Sequence, residues 1–425
     1  MEAAILDVVV IGAGLAGLTA GWHAAVKGCR VRVVAKGWGT TYWHAGCIDV
    51  LGYYPVDRQI PVESPAEALA QLVRTTPQHP YALIGVEAVT QALDAFQQLC
   101  AAVGYPLHGS LERNWLLPTA LGSVRPTCLA PETMIAGDLR RRDPMLLVGF
   151  RPYLDFYPAL AADNLNAQGF PARDVTLDLP RPEQRRLVNA TNLAQLFERA
   201  DFRAEVADAL KPHLGDAARV GFPAVLGIHN ALSVQHDLQE RLGRPVFEIP
   251  VLPPSVPGMR LHRILTGAIE RAGGRVLEGM EVVAVDVHEK VVEAVWTQAA
   301  ARRKLHRARH FVLATGGILG SGIIAEDTDM LREVVFNLPL AAVPERDQWF
   351  DPEFLSLRGH PIYRAGVAVN GRLQPLDAAN NVLYTNLYVA GTTLAHCDAL
   401  LERSLEGVAL STGFVAAQQC ESTNM

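Results

Sequence analysis

The sequence predicts an α/β fold in two parts, a parallel βαβ sheet that starts at the N-terminus and a second α/β domain inserted into it. Three observations predict it. A β-branched run, Ile5-Leu6-Asp7-Val8-Val9-Val10-Ile11, stops at Gly12 and gives way to an Ala/Leu/Gly-rich stretch to about Lys27, after which Arg30 to Ala35 reads as a second strand. The middle third alternates short apolar runs with helical stretches, and strand-like runs resume from Arg275 and lead into two late glycine turns. The 425 residues, at roughly 150 per domain, set a prior of two to three compact units.

Each element follows in order. Strand, tight turn, helix and strand over the first 36 residues make a βαβ unit, which implies a parallel pair. Helical patterns dominate from 60 to 105. From 130 to 250 the strand candidates are Met145 to Val148, Val175 to Leu177 and Ala224 to Ile228. Pro253, Pro254 and Pro257 punctuate the chain before an amphipathic helix from about Arg260 to Ala272 that ends at Gly273-Gly274. Arg275 to Leu277, Glu281 to Val287, Val291 to Trp296 and His310 to Ala314 then read as strands of a meander returning to the first domain. The basic cluster Arg302, Arg303, Lys304, Arg307 and Arg309 is expected at a solvated hairpin turn.

Composition excludes several classes. Apolar residues are 49% and charged residues 19% of the chain, too apolar and too sparsely charged for a disordered segment. The formal charge, 38 − 44 = −6, gives no sign of a nucleic-acid partner. Cysteines 29, 47, 100, 128, 397 and 420 are scattered with no CxxC pair. No metal site is therefore expected, any iron-sulfur relay is expected on another chain, and a reducing, cytoplasmic location fits. Glu2 and Asp7 flank the first apolar run without a basic segment, unlike a signal or transit peptide. No apolar run reaches the roughly 18 residues that span a bilayer, so membrane contact is expected only through a partner.

The chemistry-bearing motifs are glycine turns. Gly12-Ala13-Gly14-Leu15-Ala16-Gly17 fits GxGxxG between strand and helix. There the first glycine permits the turn, the second lets backbone approach a phosphate, and the third allows close helix packing. Amides at the helix start face the negative charge. This is the Rossmann-like arrangement of FAD- and NAD(P)-binding domains. Its usual companion is an acid at the end of the second strand that holds a ribose, but the stretch here is Val33-Val34-Ala35-Lys36-Gly37. Lys36 cannot accept hydrogen bonds from a ribose. A mononucleotide such as FMN, or an altered adenosine mode of FAD, becomes credible. His310 to Gly317 is a strand leading into Ala314-Thr315-Gly316-Gly317, and Asn386 to Thr393 is a strand followed by a glycine turn. Gly407 to Gly413 is expected to open the last helix, whose dipole would favour an anion on a reduced ring. All three glycine sites are expected to converge on one elongated ligand.

On these residues the chain resembles the B subunits of anaerobic glycerol-3-phosphate dehydrogenases, relatives of the fumarate reductase and succinate dehydrogenase flavoproteins. The resemblance rests on Val10 to Gly17, Gly39-Thr40-Thr41-Tyr42-Trp43-His44-Ala45-Gly46-Cys47-Ile48-Asp49-Val50-Leu51, His79-Pro80-Tyr81, Leu252 to Leu261 and the two late glycine motifs. It covers nearly the whole chain. It implies a flavin subunit, assigned FMN, paired with an FAD-bearing A subunit and a membrane-associated iron-sulfur C subunit. The set oxidises the polyol phosphate sn-glycerol 3-phosphate to dihydroxyacetone phosphate and passes electrons to quinone, which puts the chain peripheral to the inner face of the cell membrane. The implied division is a flavin-binding domain in three parts, 1–130, 253–330 and 366–425. An inserted α/β substrate or cap domain would span 131–252, and a cap segment 331–365. Cofactor contacts are expected from Gly12, Ala13, Gly14, Leu15, Ala16, Gly17, Lys36, Gly37, Thr40, Thr41, Gly46, Cys47, Val283, Ala314, Thr315, Gly316, Gly391, Thr392, Gly407 and Val408. The sequence departs from the family near Arg403 to Val408, where Glu406 would oppose a reduced anion if it pointed inward.

Removing a hydride from a secondary alcohol needs a base for the hydroxyl proton and cations for the phosphate. His396, His360 and Arg364 are the candidates, each balanced by a structural reading. Asp398 and Arg403 read as a structural salt bridge, Cys47 as a small residue packed in a turn, and Trp38, Tyr42 and Trp43 as packing. Two functional readings remain open: direct oxidation of glycerol 3-phosphate, or a flavin relay subunit without substrate chemistry. A stand-alone fumarate reductase-like FAD oxidoreductase is a third. A disulfide reductase lacks its cysteine pair.

Overall fold

The N-terminal apolar run folds as strand β1, Leu6–Ile11, followed by helix α1, Leu15–Val26, and strand β2, Val31–Ala35. The computed structural model describes residues 5–58, 60–179, 188–299, 302–325 and 330–421. β-Branched side chains suit the pleated surface, and Val8, Val9 and Val10 have no exposure. β1 lies parallel to β2 and to Ala308–Leu313, so neighbours cover both of its edges. α1 is buried from Leu15 through Ala25 because it is apolar on every side, as a helix packed into a core must be.

The chain divides into two compact units. One comprises Met1–Thr41, Asp49–Phe96 and His262–Met425, the other Tyr42–Ile48 and Gln97–Leu261. The inserted unit thus takes in residues 42–48, 97–130 and 253–261 as well, which the sequence reading assigned to the flavin-binding domain. The reason lies in pairing: Leu107–Gly109 joins Leu129–Pro131, and Ile48 bridges Leu129.

The first unit holds a seven-stranded sheet in the order Arg275–Glu278, β2, β1, Arg302–Leu313, Val291–Ala299 and Glu281–His288, with Leu387–Val389 also pairing with Arg302–Leu313. The last three strands of that order form an antiparallel meander. Its final strand is longer than expected. Arg302, Arg303, Lys304, Arg307 and Arg309 lie within it rather than at a turn, alternating with buried His306 and Ala308 as a half-buried strand requires. The C-terminal helix runs Leu405–Glu421.

The second unit carries an all-parallel sheet ordered Val246–Ile249, Arg219–Pro223, Met145–Arg151, Ala172–Asp178. The strand expected at Ala224 to Ile228 ends at Pro223, and the apolar residues beyond it are buried loop. The helix after the proline cluster starts at Val256, four residues earlier than expected, because Pro257 fits a first turn that needs no amide from it. Here two of the stretches that carry the resemblance, Gly39 to Leu51 and Leu252 to Leu261, meet. The Ser255 N–H donates to the Tyr42 carbonyl at 2.7 Å, and a β-carbon on Gly46 would stand 2.3 Å from the Pro257 Cβ.

Among the described residues no helix is long and apolar enough to cross a membrane.

Candidate functional site

The three glycines of the first turn have different neighbours. Gly12 has φ +116°, and a β-carbon on it would lie 2.2 Å from the Ala314 oxygen. A β-carbon on Gly17 would meet the Gly12 oxygen at 2.0 Å. Both positions demand glycine for close packing. Gly14, the N-cap of α1, has no heavy atom of the described residues within 4 Å of its β-carbon position, and no side chain among them caps the helix there. The middle glycine therefore leaves open space in front of the helix amides, the arrangement that receives a phosphate. The amides and open space belong to the stretch Ala13, Gly14, Leu15 and Ala16.

The other two glycine turns converge on this one. The Ala314 N–H donates to the Ile11 carbonyl at 2.8 Å. The Thr393 hydroxyl accepts the N–H groups of Gly316 at 3.1 Å and Gly317 at 3.3 Å, which joins the turn after the His310–Ala314 run to the C-terminal one. Gly391, at φ +74°, abuts Ala16 of α1, whose carbonyl oxygen also lies 2.2 Å from where Gly413 would carry a β-carbon. An open pocket lies against the last two of these turns, walled by Ile318, Tyr363, Ala365, Gly391, Thr392, Cys397 and Val408, among others.

Behind the pocket wall is a buried polar cluster. Glu402 accepts from His79 Nε2 at 3.1 Å, from the Ser404 hydroxyl at 2.8 Å and from the Cys397 thiol at 3.3 Å, all on one carboxylate oxygen. Its other oxygen takes the Asp398 N–H at 3.2 Å. Burial works to raise the Glu402 carboxyl, but the hydrogen bonds from His79 and its neighbours outweigh it and hold the group below the usual carboxylate range. Burial and the adjoining carboxylate push the Cys397 thiol well up, so it stays protonated. His79 is also the N-cap of the short helix Pro80–Ile84, its Nδ1 accepting the Tyr81 N–H at 3.1 Å.

The expected site residues are distributed unevenly. Gly391, Thr392 and Val408 line the pocket directly. Ala314, Thr315 and Gly316 join the turns, and the Thr315 and Thr41 hydroxyls are buried without a hydrogen-bond partner among the described residues. Gly37 is open, while Gly39 brings the loop through Thr40 and Thr41 against Gly14. Lys36 is engaged: its Nζ meets Glu281 at 2.9 Å on the exposed sheet edge. Val283 is 41% exposed on the meander. Gly407 does not face the pocket, because its β-carbon position is filled by the Tyr81 hydroxyl at 2.3 Å and the Val50 backbone. Gly46 and Cys47 belong to the second unit, where Cys47 is fully buried with its sulfur 3.6 Å from that of Met134. That is the packing role.

Of the catalytic candidates, His396 and Arg364 are neighbours, the His396 N–H donating to the Arg364 carbonyl at 3.0 Å. Tyr363 and Ala365, which flank Arg364, and Cys397, next to His396, line the pocket. His396 holds φ +67°, and burial lowers its pKa. His360 is committed elsewhere. Its Nδ1 accepts the Asp351 N–H and its Nε2 donates to the Phe354 carbonyl, both at 3.0 Å. Arg403 lies 3.9 Å from Asp49, not from Asp398. Sequence reasoning missed Glu402 and Ser404, and took His79 and Cys397 only as a motif member and a scattered thiol. His79 and Glu402 are 323 positions apart, so no local spacing announces them.

A family model described as FAD binding domain matches residues 7–402. A protein of Halobacterium salinarum, named as the probable B subunit of an anaerobic glycerol-3-phosphate dehydrogenase, is 35% identical over 422 residues, covering 96% of each chain. A Pectobacterium atrosepticum protein, named as the B subunit of an anaerobic glycerol-3-phosphate dehydrogenase, is 32% identical, over 97% of this chain and 98% of its own. The chain belongs to this B-subunit family of FAD-binding-domain proteins. Among solved structures, 3-ketosteroid Δ1-dehydrogenase from Sterolibacterium denitrificans is 13% identical, with a TM-score of 0.48 over 99% of this chain and 100% of its own. In this chain the glycine turns rest on steric demands at Gly12, Gly17 and Gly391, and the Leu252 to Leu261 stretch is tied down by the Ser255–Tyr42 contact.

Proposed function

We propose that the chain is the flavin-bearing B subunit of a respiratory sn-glycerol-3-phosphate dehydrogenase. It would work with an FAD-bearing A subunit and an iron-sulfur C subunit that passes electrons to quinone, and it would lie at the inner face of the membrane through those partners. The observation that carries this reading is the packing of Gly12–Gly17, Ala314–Gly317 and Gly391–Thr393 against one another, with open space at Gly14 and a pocket beside Gly391 and Thr392. The residues fit a flavin. Gly14 has room for a phosphate before the helix amides, and the pocket beside Gly391 offers apolar walls with a few polar groups, as ring-binding sites do. A bound flavin supplies hydride and single-electron chemistry. The chain's part is to hold and orient it, with Thr393 and Thr412 locking the turns.

FMN is the flavin this site favours. β2 ends in Ala35, which has no carboxylate for an adenosine ribose, and the Lys36 charge is met by Glu281. FAD is the alternative, since the family model bears its name. Chromatography of the flavin released on denaturation decides between them.

The relay reading draws support from His360. With one nitrogen accepting and the other donating to backbone, it has no free position for a substrate proton, so one of the two histidine bases is lost to substrate chemistry and only His396 remains beside Arg364. Anaerobic addition of glycerol 3-phosphate to the isolated chain separates the readings. Bleaching of the flavin supports substrate chemistry here, and bleaching only with the A subunit present supports a relay.

A further inference from the structure

The polar cluster behind the pocket is a buried carboxylate with donors on three sides and, among the described residues, no cation in contact. Glu402 is 7% exposed, His79 1% and Ser404 fully buried. The Tyr81 N–H occupies the lone pair of His79 Nδ1, so the ring proton sits on Nε2 and points at Glu402. That tautomer makes His79 a neutral donor. It also leaves neither nitrogen of His79 free to ligate, although His79, Cys397 and Glu402 present their atoms within 4.8 Å of one another, a spacing a metal ion would accept.

Four donors, the His79 ring, the Ser404 hydroxyl, the Cys397 thiol and the Asp398 amide, converge on the Glu402 carboxylate and favour its ionised form. The charge is not neutralised by contact. Among the charged or titratable groups near it are Asp398, which lies in its field and that of Arg364, and, beside His79, His396. Cys397 belongs to the pocket wall, and its thiol donates to a Glu402 oxygen at 3.3 Å.

A fixed anion at that place opposes any increase of negative charge in the pocket, and a low-dielectric surround strengthens the effect. We propose that Glu402 is a positioning residue that sets the redox potential of the pocket's ligand. It orients the Cys397 S–H away from the pocket, and its charge disfavours electron uptake there. The inference rests on the proposed placement of a flavin beside Gly391. It assigns Glu402 no contact with the ligand.

The test compares the full-length chain with Glu402→Gln and Glu402→Asp, each loaded with flavin, by spectroelectrochemical titration. Glu402→Gln removes the charge at constant shape and is expected to move the midpoint positive, with about tenfold more reduced flavin at a fixed applied potential. Glu402→Asp keeps the charge and is expected to stay near the parent. Unchanged potential in Glu402→Gln, with flavin bound, overturns the role of Glu402 and leaves the flavin reading standing. A folded parent that binds no flavin overturns both. If Glu402→Gln does not fold, the infrared S–H band of the parent, assigned by difference from Cys397→Ala, carries the test. A band displaced as for a strong hydrogen-bond donor is expected, and a free-thiol band overturns the proposal.

Discussion

The hydroxyl of Thr412 accepts the backbone N–H of Gly391 at 2.8 Å and donates in turn to the Val408 carbonyl at 2.5 Å. Through this side chain the C-terminal helix holds the glycine turn at the pocket wall. The donor it satisfies is buried, so its loss leaves an unpaired amide.

Thr412→Val is therefore expected to destabilise the chain by about 1–3 kcal/mol, the cost of stranding a buried donor, while Thr412→Ser stays close to the parent. Urea unfolding measures both. Equal midpoints for Val and Ser would show that the turn does not depend on the hydroxyl.

Gly12 and Gly14 separate folding from binding. A methyl on Gly12 collides with the Ala314 oxygen and sits at φ +116°, so Gly12→Ala is expected to fold poorly or lose stability by several kcal/mol. A methyl on Gly14 meets nothing within 4 Å among the described residues. Gly14→Ala should keep its unfolding midpoint within about 0.5 kcal/mol and bind flavin at least about tenfold more weakly, because the methyl fills the space in front of the amides. Titration of the apoprotein reads the second effect.

In the inserted unit, Arg260 and Glu248 form a buried two-pronged ion pair at 2.6 and 2.8 Å. Arg260 also reaches the Gly227 carbonyl, and Glu248 takes the Leu226 N–H at 2.8 Å. Removing one partner strands the other, so Arg260→Met alone is expected to cost about 3–5 kcal/mol. The double variant Arg260→Met with Glu248→Leu should recover part of that loss. A double variant as unstable as the sum of its singles would contradict the ion-pair account.

Stability is expected to fall in mild acid. Burial holds His23, His262 and His306 neutral, each with its pKa lowered to about 4 from an ordinary 6.5. The unfolded chain then binds more protons than the folded one between those values. Their contribution is full above pH 6.5 and is lost as pH falls toward 4. Urea unfolding at about pH 7.5 and about pH 5 should show lower stability in acid, with a smaller drop in His306→Gln. A flat profile would rule out the buried neutral state.

What could be read in advance was local. Leu6–Ile11 and Val31–Ala35 announce themselves by β-branching, and GxGxxG by the steric demands at Gly12 and Gly17 and the open space at Gly14. The convergence of the glycine turns followed from their order along the chain. Pairings between distant segments were not legible. Glu402 needs His79 from 323 positions away, and Lys36 finds Glu281 from 245 positions away. Gly407 reads as a cofactor glycine by motif, yet the Tyr81 hydroxyl and Val50 fill its place, because close packing of two backbones and approach of a phosphate demand the same residue.

Whether three glycine turns hold one flavin is read from the absorption spectrum of the purified full-length chain. A flavin band is expected, with about one equivalent of flavin released per chain on denaturation. A folded protein that is colourless, and stays so after incubation with FMN and with FAD, would contradict it.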